Sequence, residues 1–163
     1  MAVPAQDSHA VGRWWPGAVT ALTLAGIGVL HAVWAVSPWP LPDRETMARV
    51  VVGVTEDRAP APLLSLVVAG LLAAAAYLVA AGAEWSPRVG PAWVHRWGVR
   101  VVAGVLLVRG ISGFVLSGTE LAGGLDRATP LDYLHADLAL YSPLTLILGT
   151  GAALVALRRG RAR

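Results

Sequence analysis

Four long apolar runs divide the chain, each close to the roughly 20 residues that carry a helix across the hydrocarbon core of a bilayer. The first, about 17–36, is broken only by Thr20, Thr23 and His31. Pro38, Pro40 and Pro42 follow it and cannot continue a helical ladder. The second, about 63–83, holds only Ser65 and Tyr77 as polar positions, and its alanines and Gly70 suit close helix packing in lipid. The third, about 98–117, carries Arg109 near its middle, with Gly110, Ser112 and Gly113 beside it. The fourth, about 131–157, opens with TPLDYLHADLALYSPL and takes Asp132, His135, Asp137 and Tyr141 into the run. Asp137 and Tyr141 are spaced i, i+4 and share a face on a helix. Pro143 is expected to bend this helix, with Tyr141 and Ser142 satisfying the freed backbone groups.

This pattern predicts a single all-α domain over 1–163, a four-helix transmembrane bundle of the cell membrane. The first run is too long for a signal-peptide core of about 7–15 residues and reads as a retained span. Between the first two spans, DRETMARVVVGVTEDR contains a short helix from Arg44 capped by Asp43. That loop reads as a solvated connection, with a lid over a site as the alternative. Arg13, Trp14 and Trp15 form an interfacial collar, and Glu84, Trp85, Arg88, Trp93, His95, Arg96 and Trp97 form a boundary layer before the third span.

Composition supports the bundle: 56% of the 163 residues are hydrophobic and 14% charged, too few polar groups to cover a soluble domain. The absence of cysteine excludes thiol chemistry and disulfides. All 13 basic residues are arginine, and they lie mostly in loops and at the C-terminal end, so the net charge of +3 does not signal nucleic-acid binding. Eight arginines (13, 88, 96, 100, 158, 159, 161, 163) fall on the side of the termini and four (44, 49, 58, 127) on the other. Positive charge favours the cytoplasmic face, so both termini are expected there.

That topology puts His31, Trp34, Asp137 and Tyr141 at similar depth in the outer half, near Arg109. Ionisable groups at membrane depth are costly and mark either paired structural contacts or functional sites. For Arg109 both readings stand, a structural ion pair with Asp137 and a direct anion-binding or catalytic role. Pairing would make Asp137 a poor proton donor, whereas burial without a partner would make it a good one. His31 reads first as a hydrogen-bonded bundle residue. No metal-ligand spacing, nucleotide loop, haem-type histidine pair or nucleophile elbow is present, so neither metal nor cofactor is expected.

LHAVWAV, VLLVRGISGF and TPLDYLHADLALYSPLTL together resemble a family of small bacterial membrane proteins, domain of unknown function 3995. The features that carry the resemblance are His31 with Trp34, Arg109, and Asp137 followed by Tyr141, Ser142, Pro143 and Leu144. The family often has glycines after the first motif, where this chain has Ser37, Pro38 and Trp39. The resemblance implies a four-helix membrane fold and no particular activity. In layout only, the chain is also similar to small integral-membrane terpene cyclases.

Three functions are open at this stage. One is an intramembrane acid–base enzyme that protonates an apolar, isoprenoid-type substrate and stabilises the carbocation during cyclisation or isomerisation. Its candidate catalytic residues are Asp137, Asp132, Glu120, Tyr141 and His31; candidate substrate-binding residues are Arg109, Trp34, Trp39, Phe114 and Ser142. The second is a non-catalytic lipid- or anion-binding or transport accessory protein. The third is a structural subunit packing through the alanine face of the second span. The partners expected are the bilayer and an apolar small molecule, with no nucleic acid and a homo-oligomer left open.

Overall fold

The computed structural model describes residues 15–124 and 129–161. Arg13, Trp14, Arg127 and Arg163, which the sequence reading invoked, lie outside the described residues. Helix α1 spans Trp15–Trp34, and α2, Arg44–Met47, runs directly into a π turn at Ala48–Val52. A short 3-10 turn at Glu56–Arg58 leads to α3, Pro62–Gly82, and then α4, Ala92–Leu121. The last span is one continuous rod in three parts: α5, Leu131–Ala136, a π turn at Asp137–Tyr141, and α6, Ser142–Arg161. Among the described residues there is no strand, and four helices are long and apolar enough to cross a membrane. The protein is an all-α four-helix transmembrane bundle.

Helix α1 packs chiefly on α3 and α4 on α6, while α1–α6 and α3–α4 contacts close the bundle. The core is made of small and medium side chains, among them Leu24, Ala76, Val79, Val99, Ala103, Leu148 and Ala152. Outward-facing Leu63, Leu71, Val101, Val105 and Ile147 are exposed, as lipid-facing surface requires. The start of α1 meets the end of α3, where Gly17 lies against Ala83, and the end of α6, where it lies against Val155. The loop after α1, the end of α4 and the start of the fourth span therefore gather at the opposite end.

The third span is longer than hydropathy suggests. Nothing between Pro91 and Gly98 breaks a helix, so α4 starts at Ala92 and Trp93, His95, Arg96 and Trp97 belong to it rather than to a linker. Hydropathy reports where hydrocarbon ends, whereas the hydrogen-bond ladder continues into the interface. Trp93 and Trp97 are exposed there, and the Arg100 guanidinium stacks over the Trp97 ring 5.1 Å from its centroid.

Candidate functional site

The site grows from an irregularity in the fourth span. In a regular helix the Pro143 ring would clash with the carbonyl of Ala139, four residues earlier, and its missing N–H would leave that carbonyl unpaired. The chain widens at this point into the π turn Asp137–Tyr141. Such single-turn bulges occur often at functional sites. The residue that covers the junction is Thr145, whose hydroxyl donates to the carbonyls of Tyr141 and Ser142, each at 3.0 Å. The expectation that Tyr141 and Ser142 would satisfy freed groups there is thereby corrected: the Tyr141 hydroxyl reaches elsewhere, and Ser142 Oγ has no partner among the described residues.

Asp137, the first residue of the turn, is completely buried. Arg109 of α4 donates from Nη2 to its Oδ1 at 2.7 Å, and Ser117, two turns further along α4, donates to its Oδ2 at 2.6 Å. The same Nη2 also donates to the Tyr133 hydroxyl at 3.1 Å. Both carboxylate oxygens thus accept a hydrogen bond, one of them from a charged donor. The Arg109 side chain keeps 40% of its exposure. Its Nη1 and Nε, both obligate donors, take no hydrogen bond among the described residues. Gly113 makes the approach feasible. A Cβ at that position would run into Ser142 Oγ and Arg109 Nη1 and come within 2.8 Å of Asp137 Oδ2.

The loop after α1 is a strap over this cluster. The Asp43 carboxylate caps α2 by accepting from the Thr46 N–H at 2.7 Å, and that N–H holds the Asp43 carboxyl below the usual carboxylate range. The strap then touches the fourth span at three places. Arg49 pairs with Asp132, the Val50 carbonyl accepts from the Tyr141 hydroxyl at 3.2 Å, and Gly53 lies under the Tyr133 ring. Gly53 is left-handed, φ 79°, and a Cβ there would stand 2.8 Å from the ring. The Tyr133 and Tyr141 rings lie 6.2 Å apart beneath the strap. The loop is thus packed against the start of the fourth span.

Of the sequence-based candidates, the structure brings Arg109, Asp137, Ser142 and Tyr141 together, and places Asp132 at the rim with Arg49. The other five sit elsewhere. His31 Nδ1 bonds the Ile27 carbonyl of its own helix at 2.9 Å, and its ring tilts against Trp34 at 4.9 Å. Trp34 Nε1 donates to the Trp39 carbonyl at 3.1 Å, and Trp39 itself is 65% exposed. This group closes the end of α1, a helix that packs on α3 and α6 rather than on α4. The similar depth expected from the sequence does not make it a neighbour of Arg109. Glu120 accepts from the Thr129 N–H at 2.7 Å, and Phe114 faces outward on α4.

Tyr133, Ser117 and Gly113 were missed. Tyr133 had a readable signal, because it precedes Asp137 by the same four residues that separate Asp137 from Tyr141. Among the described residues no three of the His, Asp and Glu side chains stand together as a metal site.

The profile of a protein family of unknown function, DUF3995, matches residues 24–152. The chain belongs to the DUF3995 family. The matched stretch contains the whole DUF3995 cluster from Arg109 to Ser142, the strap, and the His31–Trp34 pair. Nothing among curated proteins and nothing among solved structures matches the chain.

Proposed function

We propose that this DUF3995 protein is a cell-membrane binding protein that holds an apolar small molecule by a polar end docked on Arg109. The observation that carries this reading is the division of labour in the guanidinium. Among the described residues a single nitrogen makes both protein contacts, and two donor nitrogens remain on a side chain that is 40% exposed. A purely structural arginine at membrane depth would use its donors up, because each unsatisfied one is costly away from water. The arginine count of eight against four supports an orientation with both termini in the cytoplasm and the strap outside.

The test is native mass spectrometry of the full-length protein in mild detergent, with extraction of what co-purifies. A defined apolar molecule is expected on the wild type and is lost in Arg109→Gln. Bulk phospholipid alone, unchanged by that substitution, would overturn the reading.

A second reading, an acid–base enzyme on an isoprenoid-type substrate, draws support from Tyr133. Its hydroxyl oxygen accepts from Arg109, so its own proton is directed elsewhere, and a phenolate formed there would sit beside a guanidinium. In this version Tyr133 is the proton donor and Asp137 the fixed counter-charge. Tyr133→Phe is then expected to abolish turnover while retaining the bound molecule. Undiminished turnover in that variant would sink the idea.

A further inference from the structure

We infer that the polar end of the bound molecule is an uncharged, hydrogen-bond-accepting oxygen, such as an ester or ketone carbonyl, and that it arrives sideways from the bilayer along α4. The inference rests on the binding reading above and narrows it to one chemical class.

The charge balance at the site carries the first half. Arg109 contributes one positive charge, and Asp137, completely buried and held at both oxygens, contributes one negative charge that cannot move away. The neighbouring ion pair, Arg49 with Asp132, is balanced in itself. The cluster is therefore neutral before any ligand enters. A carboxylate or phosphate would leave a net negative charge in a low-dielectric setting, where an uncompensated ion is strongly disfavoured. A neutral acceptor adds no charge and still meets the donors that remain. Those donors are Arg109 Nη1 and Nε, which cannot accept and so demand an acceptor. Ser142 Oγ stands beside Nη1 over the Gly113 backbone, is completely buried, and has no partner among the described residues. Its hydroxyl is the third group available to the same oxygen.

The surroundings of Arg109 carry the second half. On the bundle side its helical neighbour is buried Gly113. On the other side Val105, one turn before, and Leu116, two turns after, are 62% and 59% exposed. Above the cluster the strap is closed by the Tyr141–Val50 hydrogen bond and by Gly53 under Tyr133. The open direction is thus toward lipid, where an apolar tail can lie along the valine and leucine flank of α4.

The experiment measures binding of methyl palmitate, ionised palmitate and hexadecane to the purified full-length protein in one detergent. It uses the wild type, Arg109→Lys and Ser142→Ala, each checked for helicity by circular dichroism. Lysine keeps the positive charge opposite Asp137 but has no spare planar nitrogens once that pair is formed. Methyl palmitate is expected to bind about tenfold tighter than hexadecane, the effect of roughly one good hydrogen bond to a charged donor. Palmitate is expected to bind no tighter than the ester. The ester's advantage is expected to vanish in Arg109→Lys and to shrink in Ser142→Ala. Palmitate binding tenfold or more above the ester would overturn the neutral-oxygen inference while leaving the binding reading intact. An ester advantage that survives Arg109→Lys would place the molecule elsewhere and overturn it as well. If neither headgroup improves on hexadecane, the binding reading falls together with the inference.

Discussion

Arg109 and Asp137, 28 residues apart in the chain, meet at 2.7 Å, yet the aspartate is wholly buried while the arginine is 40% exposed. The two partners are therefore not equivalent. The arginine can find water or lipid oxygens if it loses its partner, whereas the aspartate cannot.

This asymmetry orders a set of substitutions. Arg109→Ala strands a buried carboxylate and is expected to cost about 3–5 kcal/mol. Asp137→Asn removes the charge but keeps the shape and two polar atoms, and is expected to cost clearly less. The double variant Arg109→Met, Asp137→Leu is expected to be more stable than Arg109→Ala, because no unpaired charge remains. Unfolding in detergent, followed by circular dichroism, gives the ranking. Equal losses for the two single variants would contradict the asymmetry.

Gly113 is where the cluster and the backbone of α4 come into contact. Gly113→Ala puts a methyl group into Ser142 Oγ and Arg109 Nη1, and overpacking of this kind costs about 1–3 kcal/mol. Gly104, also on α4, has nothing among the described residues within 4 Å of a Cβ, so Gly104→Ala is expected to be neutral or slightly stabilising. Thermal midpoints of the two variants measured side by side decide the matter, and equal midpoints would remove Gly113 from the site.

The strap is expected to loosen without the bundle. Gly53→Ala must hold a left-handed backbone, at about 1–2 kcal/mol, and also meets the Tyr133 ring. Tyr141→Phe removes the bond to the Val50 carbonyl. Trypsin cleavage at Arg44, Arg49 and Arg58 should accelerate several-fold in both variants, while the helical signal in detergent stays near that of the wild type. Unchanged cleavage would mean that the strap is held by contacts other than these.

Acid should act on the strap through Asp43. Its carboxyl is held below the ordinary value, set first by the Thr46 N–H, so the folded strap prefers the ionised form. The stabilisation is complete above the ordinary carboxylate value of about 3.9 and fades as pH falls through the lower folded value. Amide hydrogen exchange at Arg44–Met47, corrected for its intrinsic pH dependence, is expected to lose protection below about pH 4. Asp43→Asn, which still caps but does not titrate, is expected to flatten that change.

Much of the architecture was legible in the sequence because apolar length is a direct readout of bilayer thickness. The four spans and the cap at Asp43 follow from patterning, whereas the cost of charge at depth left the pairing of Arg109 with Asp137 as one of two open readings, which the structure decides. What was not legible depended on which helix lies beside which. The sequence places His31 and Trp34 at a depth similar to Arg109, but α1 packs on α3 and α6, and an expected depth carries no lateral information. Ser117 and Gly113 look ordinary until α4 lies against Asp137. Tyr133 was visible by its spacing, and its role emerged only when Arg109 was seen to use one nitrogen for two partners.

The π turn at Asp137–Tyr141 amounts to one surplus residue threaded into an otherwise regular rod. Everything before it, including Asp132 and Tyr133, is turned by about 100° from where an uninterrupted α-helix would aim it. The partnership of the strap with the fourth span is in that sense a matter of phase rather than of residue identity. Shortening the rod by one residue at Leu138 or Leu140 would leave all of the side chains named here in the chain. Asp132 would nonetheless face away from Arg49, and the Tyr133 ring away from Gly53.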